Sequence, residues 1–293
     1  MLGVSPRRNV ISMPKIHNGN PAVFERKDGN FEIKLVVSGG TMSTEQIARV
    51  AEVAGKYGAE VHFTMRQEIS ILGIAEENLE AALEELAEVG LKAGSAGMTV
   101  RNVTACLGDK YCFKATQETT TLAKEIEEEF LGMKTPGPVK IGISACPYPC
   151  TRPQFNEIGL MGRVRPDLDI EACTGCGRCV TVCKKGATKI VDGKAIVDYD
   201  KCIYCGRCVV ACPEGARFRG MDGFLMFVGG RGSWPPYEGY ILREFISRDE
   251  IIPQIKKILE YYLENGEPKK RLREFINKTG WEEFKEAVVL DGQ

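Results

Sequence analysis

Twelve cysteines in 293 residues are the side chains best placed to do chemistry, and they fall into three sets of four with none left over. Cys173, Cys176, Cys179 and Cys183 form a C-x2-C-x2-C-x3-C run. Cys202, Cys205, Cys208 and Cys212 repeat it 29 residues later, with Gly-Arg-Cys-Val shared. Self-similarity at a fixed offset marks a duplicated unit. The third set is two split pairs, Cys106 with Cys112 (C-x5-C) and Cys146 with Cys150 (C-x3-C). The N-terminal segment has an arginine pair but no apolar run behind it, so the expectation is a cytoplasmic chain. Thiols there are kept reduced, which makes these cysteines metal or redox ligands rather than disulfides. Zinc is the competing reading, but it needs only four thiolates per ion and gives no reason for a twofold x2-x2-x3 phasing. A 4Fe–4S cube takes thiolates at its corners, and pairs from two separate loops can supply them.

The elements that must carry these ligands follow from periodicity. Phe31–Val37 alternates and then runs apolar, as a strand does. Gly39-Gly40 turns it into a helix with a Ser43/Gln46 capping box, whose buried stripe is expected to be Ile47, Val50, Ala51, Ala54 and Tyr57. Val61, Phe63 and Met65 are expected on one face of a second strand, with His62, Thr64 and Arg66 on the other. Ile69–Ile74 and a helix bearing Leu79, Leu83 and Leu86 complete an α+β unit over residues 20–92. Leu122, Ile126 and Phe130 mark a further helix, and Val139, Ile141 and Ile143 one face of a strand whose other face carries Lys140, Gly142 and Ser144. Ile158–Val164 and Phe224–Val228 read as partner strands, with the eight-cysteine segment, 166–218, inserted at the tip of their hairpin. Helical stripes over 249–290 (Ile251, Ile255, Ile258, Leu259, Tyr262, then Leu272 and Phe275, then Trp281, Phe284 and Val288) read as packing faces.

Lys plus Arg (39) nearly balances Asp plus Glu (40), so the basic excess of a nucleic-acid binder is missing. No apolar run approaches the length of a membrane span. No Gly-rich nucleotide fingerprint follows a strand, which argues against direct NAD(P)H oxidation.

The eight-cysteine insert resembles bacterial two-cluster ferredoxins, in which three cysteines of a run hold one 4Fe–4S cluster and the fourth reaches the other. The resemblance implies Cys173, Cys176, Cys179 and Cys212 at one cluster, and Cys202, Cys205, Cys208 and Cys183 at the second. Cys212-Pro213 ends the second run as in that family; Lys184 replaces the proline of the first.

The rest of the chain resembles siroheme-dependent sulfite and nitrite reductases. The match rests on Thr104-Ala-Cys-Leu-Gly-Asp-Lys-Tyr-Cys112 followed by Ile143-Ser-Ala-Cys-Pro-Tyr-Pro-Cys150. It extends to Thr64-Met-Arg-Gln67, Val100-Arg-Asn-Val103 and Val228-Gly-Gly-Arg-Gly232. It implies an α+β fold: a ferredoxin-like half-domain (20–92), a siroheme and 4Fe–4S domain (93–165 and 219–293), and the inserted ferredoxin domain (166–218). It implies siroheme and three 4Fe–4S clusters, with Cys150 also ligating the siroheme iron. Arg66, Arg101 and Lys140 become the substrate-side cations, suited to an oxyanion because arginine offers a rigid fork and lysine a compact charge. Arg66, Gln67, Thr99, Arg101, Asn102, Lys140, Cys150, Arg152, Gly230 and Arg231 become siroheme contacts. Pro138 stands where the first lysine of a Lys-x-Lys pair is common, Ala145 and Tyr148 where Gly and Asn are usual, and Trp234 where a basic residue is common. A bulky Tyr148 is expected to reshape the oxyanion pocket.

The implied reaction is six-electron reduction of sulfite to sulfide, electrons arriving from a reduced ferredoxin-like donor or partner subunits. Nitrite reduction to ammonia and non-catalytic electron transfer are the alternatives. Larger family members carry two copies of this unit, with the cations used from one and the cysteines from the other. A single copy therefore implies a homodimer or higher homo-oligomer.

Overall fold

The computed structural model describes residues 14–290. They divide into two compact units: one comprises the residues through Val36 together with Ser43–Thr64 and Ile69–Gly94, the other Val37–Met42, Met65–Glu68 and the chain from Ser95 onward.

The first unit contains β1 (Ile16–His17), β2 (Asn20–Glu25), β3 (Phe31–Leu35), α1 (Thr44–Lys56), β4 (Glu60–Phe63), β5 (Ile69–Ile74) and α2 (Leu79–Ala87). Its strands form an antiparallel sheet in the order β1-β2-β3-β5-β4. The capping box opens α1 as expected: the Ser43 hydroxyl accepts from the Gln46 amide, and the Gln46 side chain accepts from the Ser43 amide, each at 3.1 Å. The buried face of α1 is Val50, Val53 and Ala54, and Ile47 is 55% exposed. Two adjacent rows satisfy helical spacing there, and the one centred on Val53 faces the sheet. Val61 and Phe63 are exposed as well. β4 is the sheet's edge strand, hydrogen-bonded on one side only, so alternation along it does not guarantee a covered face.

The second unit contains β6 (Thr104–Ala105), α3 (Thr120–Phe130), β7 (Ile141–Ser144), β8 (Ile158–Leu168), α4 (Arg178–Thr181), β9 (Thr188–Val191), β10 (Lys194–Val197), α5 (Arg207–Val210), β11 (Arg217–Val228), β12 (Tyr240–Ile246), α6 (Ile251–Asn265), α7 (Leu272–Thr279) and α8 (Trp281–Val288). Its main sheet runs β12-β11-β8-β7-β6, parallel from β6 through β8 and antiparallel beyond. Ile141, Ile143, Ile158, Leu160, Phe224 and Met226 pack with Leu122, Ile126 and Phe130 of α3 and with Ile255, Ile258, Tyr262, Phe275 and Phe284 of the C-terminal helices. The C-terminal stripes are thus core faces. No helix among the described residues is long and apolar enough to cross a membrane.

β8 and β11 pair without a break in partnership from Ile158↔Val228 to Leu168↔Arg217, with one bulge, and the segment 169–216 emerges beyond. That segment buries only Cys179, Ala187, Thr188, Ala195, Gly206, Cys208 and Ala216. So few small side chains cannot form a self-sufficient core, and small modules of this kind rely on cross-links of another sort.

Glycine positions the loop that carries Cys146 and Cys150. It folds back over β7 and β8 so closely that a Cβ at Gly162 would sit 2.2 Å from the Ala145 carbonyl oxygen, and one at Gly159 would sit 2.1 Å from that of Pro153. Gly162→Ala is therefore expected to destabilise the protein by about 1–3 kcal/mol through forced overpacking. Gly55→Ala, in α1 with nothing within 4 Å of the new methyl, should instead gain roughly 0.5–1 kcal/mol. Urea midpoints of the two variants against the parent check the pair.

Candidate functional site

β6 and β7 lie side by side and parallel, Thr104 opposite Gly142 and Ala105 opposite Ile143. Their carboxyl ends deliver Cys106 and the Ala145-Cys146 turn together, as the ends of parallel strands commonly deliver ligands. The Cys106 amide donates to the Ile143 carbonyl at 3.1 Å, and the Ala145 amide donates to the Cys106 sulfur at 3.1 Å. Thr119 Oγ1 holds the Cys106 carbonyl at 2.7 Å, and the Ala145 carbonyl accepts from the Thr116 and Gln117 amides at 2.9 and 3.1 Å. The Cys146 thiol is pushed up first by burial and then by the charges of Cys106, Cys150 and Cys112, while the Tyr148 amide opposes. The other three cysteines of the split-pair set thus lie close enough to act on Cys146. Cys150 is exposed. A cation in their midst would reverse the penalty and ionise them.

The insert gathers its eight cysteines around two cavities. One is lined by Cys173, Cys176, Cys179 and Cys212, the other by Cys202, Cys205, Cys208 and Cys183. Among the described residues no three His, Cys, Asp or Glu side chains converge tightly enough to hold a single metal ion. Two sets of four cysteines, each disposed around its own cavity, suit a polynuclear iron–sulfur cube. Backbone amides point at the sulfurs: Ala187 at Cys183 (3.3 Å), Tyr204 at Cys202 (3.4 Å) and Arg217 at Cys212 (3.4 Å). Such bonds favour thiolate. Amides of Ala195 and Gly175 hold the Cys173 thiol low, those of Ala187, Lys185 and Thr188 outweigh burial at Cys183, and burial pushes Cys208 up to about 11.

Tyr148 lines the second of these cavities, beside Cys183, Cys202 and Cys205, although it lies in sequence between Cys146 and Cys150. This placement faces the insert. A backbone bridge of Val164 to Cys205 fastens the same part of the insert to β8.

The expected cations gather at the other end of the strands. Arg66 donates from Nη2 to the Asn102 carbonyl at 2.8 Å, and Asn102 Nδ2 donates back to the Arg66 carbonyl at 2.9 Å. Asn102, 1% exposed, thus helps to position Arg66. Gln67 bonds both backbone groups of Ala105, at 2.8 and 2.7 Å, capping the free edge of β6. Arg101 holds the Gly97 carbonyl, and Thr99 the Ala96 carbonyl. Lys140 precedes β7; burial lowers its pKa, Arg66, Arg271 and Arg101 push the same way, and Glu157 opposes. Burial likewise lowers Arg66 and Arg101.

Two members of this cluster were not foreseen. Glu157, 1% exposed, takes Arg271 Nε and Nη2 on one carboxylate oxygen (3.0 and 2.5 Å) and the Lys140 amide on the other (3.0 Å). Arg271 thereby brings a fourth cation from the C-terminal region, in a chain where Pro138 replaces the customary lysine. No local motif signals either residue, because their partners lie 114 positions apart.

The remaining candidates are placed as follows. Arg152 is exposed in a left-handed turn (φ 51°). Arg231 donates to Ser233 Oγ and the Trp234 carbonyl, 2.9 and 2.8 Å, and Trp234 is 86% exposed. The space left by Gly230 is taken by the chain itself, since a Cβ there would lie 2.3 Å from the Gln154 carbonyl oxygen. Its glycine is explained by that packing.

The chain resembles known proteins over both units. The nitrite and sulphite reductase 4Fe-4S domain model matches residues 96–292, and the nitrite/sulfite reductase ferredoxin-like half domain model matches residues 24–89. A coenzyme F420-dependent sulfite reductase of Methanocaldococcus jannaschii is 38% identical over 91% of this chain, which spans 43% of that protein's length. One of the subunits of the anaerobic sulfite reductase of Salmonella typhimurium is 31% identical over 95% of this chain and 89% of its own. A crystal structure of dissimilatory sulfite reductase I superposes with a TM-score of 0.73 over 90% of this chain and 70% of its own, at 20% identity, a likeness of fold. With a family model covering most of its length, the chain belongs to the nitrite and sulphite reductase family.

Proposed function

We propose that this chain is a sulfite reductase component that binds siroheme and three 4Fe–4S clusters, two of them in an inserted ferredoxin domain over 166–218. The observation that carries the reading is that Cys106 and Cys146 leave the carboxyl ends of β6 and β7 together, with Cys112 and Cys150 close enough to act on Cys146, alongside two further cavities each lined by four cysteines. Siroheme would supply the iron at which sulfite is reduced, and the clusters the store of electrons; Cys150, exposed, is free to serve a second metal. The protein's own part is electrostatic and positional.

Reduction of sulfite to sulfide consumes six electrons and six protons and releases three waters. Arg66, Arg101 and Lys140 would hold the oxyanion, and Lys140 would deliver protons from Nζ as each oxygen leaves. Glu157 fixes Lys140's backbone and Arg271 together, so that the cations keep their places without a substrate to hold them. Electrons would enter at the insert from an external reduced carrier or a partner subunit and pass by Tyr148 to the Cys106 set.

Within one chain the cations precede β6 and β7 and the cysteines follow them. Residues 141–144 alone separate the two ends by about 13 Å at roughly 3.3 Å per residue. This supports a homodimer or higher assembly in which each site combines the cations of one copy with the cysteines of another.

Anaerobically purified protein should contain roughly thirteen iron atoms per chain and extractable siroheme, and the reduced protein should turn over sulfite faster than nitrite. Protein without tetrapyrrole bands would defeat the siroheme reading, and faster nitrite turnover would reassign the substrate.

The acid–base role has its own signature. A lysine held below its ordinary 10.5 by burial loses its proton as pH rises through the lowered value, so activity should fall on the alkaline side at a pH below 10.5. Lys140→Arg, which keeps the charge but does not release a proton, should lose that limb together with most of the sulfite turnover. Lys140→Ala should cut kcat/KM for sulfite by about 10²–10³ with iron and siroheme retained. Parental sulfite turnover by Lys140→Arg, with the same alkaline limb, would remove Lys140 from proton delivery.

A further inference from the structure

Arg217 is 3% exposed, yet its Nε and Nη2 have no hydrogen-bond partner among the described residues, and it forms no ion pair there. A guanidinium left in that state is costly, because a buried charge needs a counter-charge and its N–H groups need acceptors. Arg217 lines the cavity of Cys173, Cys176, Cys179 and Cys212, and its amide donates to the Cys212 sulfur at 3.4 Å. Its charge also reaches thiols of the second set, Cys202 and Cys208. Glu214, on the same cavity, is exposed and does not pair with it.

The internal repeat sharpens the point. The 29-residue offset that carries one cysteine run onto the other carries Thr188 onto Arg217. Thr188 is also buried, at 3% exposed, and lines the other cavity. Of two equivalent positions, one holds a neutral hydroxyl and the other a permanent cation.

We propose that Arg217 is the built-in counter-charge of the insert's two cysteine sites and sets how easily the groups they hold are reduced. This rests on the iron–sulfur reading above. Each reduction adds one electron, supplied by an external low-potential one-electron donor, to a group already made negative by its four thiolates. No bond forms or breaks, no proton moves, and the donor is oxidised by the same one electron. A fixed positive charge in a poorly solvated place stabilises the more negative reduced state and raises its potential. Because Arg217 lines the Cys173 cavity and Thr188 the other, the effect is larger at the Cys173 site, which makes two ligand sets of identical spacing unequal.

The test is a redox titration of the full chain, purified anaerobically and followed by the electron paramagnetic resonance of its reduced clusters, with iron and acid-labile sulfide counted in each sample. Arg217→Met should make reduction of the affected centre about tenfold less favourable, ~59 mV for one electron, and Arg217→Lys should stay within about twofold of the parent. If Arg217→Met loses iron from the insert where Arg217→Lys keeps it, the charge is needed to hold the group, which also supports the proposal. Equal behaviour of the two variants, in potential or in iron content, overturns it, since only shape would then matter. A parent whose iron count leaves no room for clusters in the insert would defeat the iron–sulfur reading itself and be recognised by that count.

Discussion

A strand has two ends, and the parallel pair β6 and β7 uses both. Arg101 and Lys140 lie before them, Cys106 and Cys146 beyond them. Parallel pairing keeps like ends together, so two loops distant in sequence bring their cysteines to one place and their cations to another. Everything else in the second unit serves that division. α3 and the C-terminal helices pack the sheet, Gln67 closes the edge of β6, and the Gly159 and Gly162 positions let the cysteine loop lie against β8.

The two ends are electrostatic opposites. At the amino ends, four cations are held close by burial and by one buried carboxylate, Glu157, which accepts from Arg271 twice and from the Lys140 amide once. Such a cluster is poised for an anion, and burial, with the repulsion of Arg66, Arg271 and Arg101 behind it, makes Lys140 a readier proton donor than a surface lysine. At the carboxyl ends and in the insert, sulfurs gather with amides aimed at them, an environment that asks for iron. The insert buries only small residues between 169 and 216, so a group held by its cysteines, as proposed above, would also hold its fold.

Much of this was legible in the sequence because ligand spacing is local. The cysteine sets, the capping box at Ser43 and the stripes of α6 to α8 each depend on residues a few positions apart, and each has a counterpart in the structure. What escaped reading depends on tertiary partners. Glu157 and Arg271 meet across 114 positions and carry no motif. Ile47 and Phe63 satisfy the right periods, but one lies beside the buried row of α1 and the other on an edge strand. Tyr148 sits within a cysteine motif, and only the three-dimensional path of the insert reveals which cavity it faces. Arg217 reads in sequence as one more charge in a charged segment, and its burial without a partner is a property of the fold alone.

The account turns on whether catalysis draws the two strand ends from different copies of the chain. The direct measurement is co-expression of Lys140→Ala with Cys150→Ser, each inactive alone. A site built from the cations of one copy and the cysteines of another predicts that randomly assorted dimers recover about a quarter of parental sulfite turnover, because half are mixed and each of these has one intact site. Recovery of none, with mixed dimers demonstrated, would mean that a single chain assembles its own site.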